Sequence, residues 1–117
     1  MNDIQIAESY VIKANSAKEK GIPFDLTFNQ YKHLLSKKKC EYSGIPLILE
    51  ANKFNSLTFD RIDNSKGYTI KNIKVCARSI NNWKSNLENP TYPVNMGNVI
   101  KITNNILNAL ETTKEGK

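Results

Sequence analysis

The chain has 117 residues, 39% hydrophobic and 24% charged, and carries a net charge of +6 from 17 Lys and Arg against 11 Asp and Glu. This length suits a single domain, residues 1–117, with a modest core, and no apolar run is long enough for a transmembrane helix, so no membrane partner is expected. The opening MNDIQIAESY lacks the basic start and apolar run of a secretory signal, and two cysteines are too few for a disulfide framework, so a cytoplasmic setting is expected.

The first predicted element is a helix over Ile4 to Lys18, with Ile4, Ala7, Val11 and Ala14 as its apolar face. Gly21 ends it and Pro23 prevents its resumption. Thr27 starts a second helix, with Gln30 at capping-box spacing and Phe28, Tyr31, Leu34 and Leu35 as its apolar face. The lysines of SKKK close it, where the helix dipole favours cations. CEYSGIPLIL reads as a hairpin or knuckle interrupted by Gly44 and Pro46. Leu57 to Ile62 reads as a strand, DNSKG as a turn, Ile73 to Cys76 as a second strand and Ala77 to Leu87 as a helix. ENPTYP is a linker, and Met96 to Thr112 a last helix carrying Val99, Ile102, Ile106 and Leu110. Helices flanking a small β-β-α unit make an α+β fold.

Charge is unevenly spread. Met1 to Glu50 holds seven basic and six acidic residues, whereas Ala51 to Leu87 holds seven basic and two acidic. A clustered basic field favours a polyanion such as nucleic acid; the alternative is a lysine-rich solvated surface.

Three segments, CEYSGIPL, TFDRIDNSKGYTIKN and NNWK, resemble the HNH, or His-Me finger, endonuclease family, and look most like its short phage-type members. The likeness covers about Cys40 to Asn86, with Cys40, Asp60, Gly67, Tyr68, Thr69, Asn72, Asn81 and Lys84 matching the pattern. It implies a ββα-metal, treble-clef-like core over about residues 40–88, flanked by helices, that binds nucleic acid and cuts phosphodiester bonds with one divalent cation. Asp60 and Asn81 would hold that cation, Mg²⁺ or Mn²⁺, since both offer hard oxygen donors. Cys40, Gly67 and Asn72 would be structural.

Two departures stand out. Only Cys40 remains of the family's four zinc thiols, Ser43, Ala77 and Ile80 filling the other slots, so a structural zinc is not expected. The general-base histidine is replaced by Arg61, which stays protonated and cannot take a proton from water. The chain's one histidine, His33, falls on the second helix, where a surface or core-edge role is expected. Asp63, three residues after Asp60, is the substitute base candidate beside Asp60 and Arg61. Arg61, Lys66, Lys71, Lys74, Arg78 and Lys84 are candidate phosphate contacts. The alternatives are structural: Asp60 and Arg61 in cross-strand pairs, Asp63 in the turn, Tyr68 and Trp83 in packing. Three functions follow: a metal-dependent endonuclease with an altered base, an inactive nucleic-acid-binding scaffold, or a phage protein that binds a host or defence protein.

Overall fold

The structure, a computed structural model, describes residues 1–115. Its element order is α1 (Asp3–Glu19), β1 (Phe24–Asp25), α2 (Phe28–Leu35), β2 (Leu57–Arg61), β3 (Tyr68–Thr69), a 3-10 turn (Ile70–Asn72), β4 (Ile73–Ala77), α3 (Arg78–Leu87) and α4 (Val99–Glu115). This mixture of helices and small sheets is an α+β fold. Contacts divide the chain into two compact units, one ending at Asn81 and the other starting at Asn82, with the boundary inside α3.

In the first unit, α1 begins with a capping box: the Asn2 side chain accepts from the Gln5 N–H, and the Gln5 side chain accepts from the Asn2 N–H. Its inward face is Ile6, Tyr10, Lys13 and Ala17, not the predicted stripe through Ile4 and Val11. Ile4 is 71% exposed and Val11 54% exposed. Tyr10 decides the rotation. Its ring meets Phe24, Phe28 and Tyr31 at centroid distances of 5.5, 5.9 and 5.3 Å, and its hydroxyl donates to the Leu26 carbonyl. A buried aromatic that also satisfies its hydroxyl outweighs two aliphatic side chains.

The predicted α2 is present with its Thr27–Gln30 capping box, and Tyr31 and Leu34 are buried. His33 is exposed on its outer side. β1 was not legible as a strand, because two residues carry no periodicity. It pairs in parallel with β3, Phe24 opposite Tyr68 and Asp25 opposite Thr69.

β2 and β4 form an antiparallel ribbon with Leu57 opposite Ala77 and Arg61 opposite Ile73. Both its faces are covered. Phe59 and Val75, directly opposite each other, join the main cluster with Ile6, Leu26, Tyr31, Leu34 and Ile73. Cys76, on the other face, and Ala77, at the end of the strand, form a second cluster with Cys40, Ile45, Leu47 and Ile80. Covering both faces explains why Val75, Cys76 and Ala77 are buried in succession rather than alternately.

In the second unit, the ENPTYP segment is a set of asparagine-braced turns. The Asn95 Nδ2 donates to the Tyr92 carbonyl at 2.8 Å and the Asn98 Nδ2 to the Pro93 carbonyl at 2.9 Å. These turns occupy Met96 to Asn98, so α4 starts at Val99, later than predicted. Among the described residues no helix is long and apolar enough to cross a membrane.

Candidate functional site

The loop from Ile62 to Lys71 is built around Asn72, which is buried. Its Oδ1 accepts the Asp63 N–H at 2.9 Å, and its Nδ2 donates to the carbonyls of Asp63 and Gly67 at 3.1 and 2.9 Å. One amide thereby replaces backbone pairing across nine residues. Gly67 is needed for close approach. A Cβ there would lie 2.4 Å from the Pro23 carbonyl oxygen, the same oxygen that accepts the Tyr68 N–H.

Arg61 also serves this loop. Its Nη1 donates to the Asn64 and Lys66 carbonyls at 3.1 and 3.0 Å, and its guanidinium lies 5.5 Å from the centroid of the Tyr68 ring. Across the ribbon Asp60 stands opposite Lys74 and Arg61 opposite Ile73. Arg61 thus acts as a staple for the turn.

Asp60 faces the other way. It is only 5% exposed, and its Oδ2 accepts the Tyr42 hydroxyl at 2.7 Å. Thr58, two residues earlier on the strand, shares its face. Thr58 Oγ1 donates to the Cys76 carbonyl at 2.9 Å and accepts from Asn81 Nδ2 at 3.3 Å. The ribbon and the first turn of α3 thus bring Tyr42, Asp60, Thr58 and Asn81 to one face. One carboxylate and one amide oxygen suit a hard cation that keeps most of its water. No group of three His, Cys, Asp or Glu side chains arranged for a metal occurs among the described residues.

The knuckle beneath Tyr42 is formed by the Cys40 N–H donating to the Ile45 carbonyl and the Gly44 N–H to the Cys40 carbonyl. Gly44 has φ +78°, a conformation that favours glycine. Burial opposes ionisation of Cys40, but the Ser43 hydroxyl and the N–H groups of Ala77, Ser43 and Tyr42 aim at its sulfur and hold the thiol below its ordinary pKa. Ala77 and Ile80 pack in the same cluster as Cys40 as apolar contacts.

Asp63 is committed to the turn. Its Oδ1 accepts from the Ser65 hydroxyl at 2.6 Å and the Ser65 N–H at 2.9 Å. Chiefly through the Ser65 hydroxyl, its carboxyl is held below the usual range, which weakens it as a base. Lys66, Lys71 and Arg78 are exposed, and Lys74 is half-buried. Lys84 belongs to the second unit, where it pairs with Glu88 at 3.0 Å. Trp83, expected in packing, is 53% exposed.

Sequence reading missed two residues that the structure brings to these features. Tyr42 reaches Asp60 across eighteen positions. Lys13 of α1 lies with its Nζ 4.6 Å from the Tyr68 ring centroid and 3.3 Å from the Tyr68 hydroxyl. The break in apolar character at Lys13 on an otherwise inward face was the one available signal.

The chain is 36% identical over 72 residues to an uncharacterised 29.0 kDa protein of the dda-modA intergenic region of Enterobacteria phage T4. The match covers 60% of this chain and 28% of the phage protein. No family model and no solved structure matches.

Proposed function

We propose that the protein binds nucleic acid on an HNH-like ββα scaffold, its treble-clef-like core being the Cys40 knuckle, the β2–β4 ribbon and α3. The observation that carries this reading is the buried Asp60 carboxylate on the face that Asn81 joins from the helix. Similarity to a phage protein agrees with a phage-type member acting in a host cytoplasm. Asp60 and Asn81 would hold Mg²⁺ or Mn²⁺, and the cation when bound would polarise a phosphoryl oxygen. Tyr42 orients Asp60 through its hydroxyl. Lys66, Lys71, Lys74 and Arg78 offer cations to phosphates, while Arg61 holds the loop that carries Lys66 and Lys71.

Binding is preferred to hydrolysis because the residues in line to serve as base are engaged elsewhere: Arg61 donates to the Asn64 and Lys66 carbonyls, and Asp63 is tied to Ser65. A second reading, a metal-dependent endonuclease with an altered base, is favoured by Asp60 itself. Burying a carboxylate is costly, and such groups concentrate at functional sites.

The test is retention of labelled single-stranded DNA, duplex DNA and RNA at low and moderate salt, run beside cleavage gels in Mg²⁺, Mn²⁺ or EDTA. Salt-sensitive retention without cutting is expected. Cation-dependent cutting that Asp60→Asn abolishes establishes the second reading, and failure to retain any of the three polymers removes both.

A further inference from the structure

We propose that the cavity between α1, α2 and the ribbon is a nucleotide-phosphate site in which Lys13 grips the phosphate. The cavity, of about 440 Å³, lies within the first unit. Ser9 and Lys13 of α1, Tyr31 of α2, Phe59 of β2, Tyr68 of β3 and Asn81 of α3 line it. That volume is in the range of small-ligand sites.

Charge argues for an anion. Lys13 is half-buried, with its Nζ over the Tyr68 ring and 6.0 Å from the Phe59 centroid. Arg61 approaches the same Tyr68 ring. The two centroid distances, 4.6 and 5.5 Å, bound the separation of these charges at their sum. That is about one Debye length at ordinary ionic strength, so each feels the other. Neither is within ion-pair distance of a carboxylate among the described residues. Lys13 is the lysine of the cavity lining, and with the Arg61 guanidinium near Tyr68 but outside that lining it makes a cationic field that stabilises an anion entering the cavity.

The remaining lining narrows the class. Phe59 and Tyr68 present half-buried aromatic surface, Thr58 and Ser9, the latter paired with the Tyr31 hydroxyl, present hydroxyls, and Asn81 presents an amide. A phosphate joined to a flat ring with polar edges uses all three kinds of group, as a bare anion does not. The shared ligand chemistry is a nucleotide phosphate, either on a free nucleotide or within a chain. The inference needs neither the cation nor Asp60, so it can fail independently of the function proposed above.

The experiment is amide NMR of the full chain titrated with thymidine 5′-monophosphate, with the unphosphorylated trinucleotide TpTpT and with inorganic phosphate, alongside calorimetry. Wild type is expected to shift Ser9, Lys13, Phe59, Tyr68 and Asn81 with at least one of the two nucleotide probes, and more weakly with inorganic phosphate. The monophosphate against TpTpT distinguishes a free nucleotide from an internal phosphate. Lys13→Met keeps the aliphatic stem and should weaken binding at least tenfold, with Lys13→Arg restoring most of it. An unchanged melting temperature in Lys13→Met shows that its effect is not unfolding. Absence of shifts with both nucleotide probes, shifts confined to residues outside the cavity, or undiminished binding by Lys13→Met overturns the proposal. If Lys13→Met still retains long polynucleotide and the cavity stays silent, this site falls and the proposed function stands. If nucleotides shift the cavity but no polymer is retained, this site stands and that function falls.

Discussion

At the scale of single residues, the loop after β2 depends on two positions with no exchangeable neighbours. Replacing Asn72 by Ala leaves the Asp63 N–H and the Asp63 and Gly67 carbonyls without that amide, a loss expected to cost about 3 kcal/mol. Gly67→Ala drives a methyl into the Pro23 backbone and is expected to cost about 1–3 kcal/mol. Urea denaturation reads both, and an unchanged midpoint for either contradicts the loop assignment. Asp63 gives a pH signature. Its folded pKa lies below the ordinary aspartate value, so its contribution is present above the unfolded value and is lost as pH falls through the folded one. An NMR titration of its carboxyl carbon should show a midpoint below 3.8, and Ser65→Ala should raise it. Much of this was legible: the residue types at Gly67 and Asn72 already implied structural duty. The use of Arg61 was not, since it depends on where two loop carbonyls end up.

Among the elements, what is local was readable and what is tertiary was not. The α2 start was visible because Thr27 and Gln30 interact within one turn. Thr27→Ala should destabilise by about 1 kcal/mol, measured by thermal unfolding. For α1, the periodicity of Ile4, Ala7 and Val11 indicated the wrong face, because Tyr10 and Lys13 belong inside for reasons set by Phe24, Phe28 and Tyr68. Ile4→Ser and Val11→Ser should therefore shift stability by less than about 0.5 kcal/mol, whereas Tyr10→Ala should cost about 3–5 kcal/mol. A large loss from the two exposed substitutions would contradict the observed rotation. The strand pair β2–β4 was found close to its predicted limits, because its apolar run lies between clear turn residues. β1 was too short to leave a pattern.

For the whole molecule, net charge pointed to a polyanion before any coordinates, but it could not say which cations are available. Of the six candidate phosphate contacts, Lys84 is paired with Glu88 and Arg61 is bound to carbonyls, so the proposed contacts of the first unit are Lys66, itself 4.0 Å from Asp63, with Lys71, Lys74 and Arg78. The tie between Tyr42 and Asp60, and that between Lys13 and Tyr68, join residues far apart in sequence, which is why neither was foreseen. The most direct test of the central claim is the anisotropy of a labelled oligonucleotide titrated with the intact chain at about 50 mM and about 200 mM salt. Four phosphate contacts predict a loss of affinity of roughly a hundredfold across that range through counterion release. Affinity that does not change with salt, or no binding at the lower salt, would contradict the account.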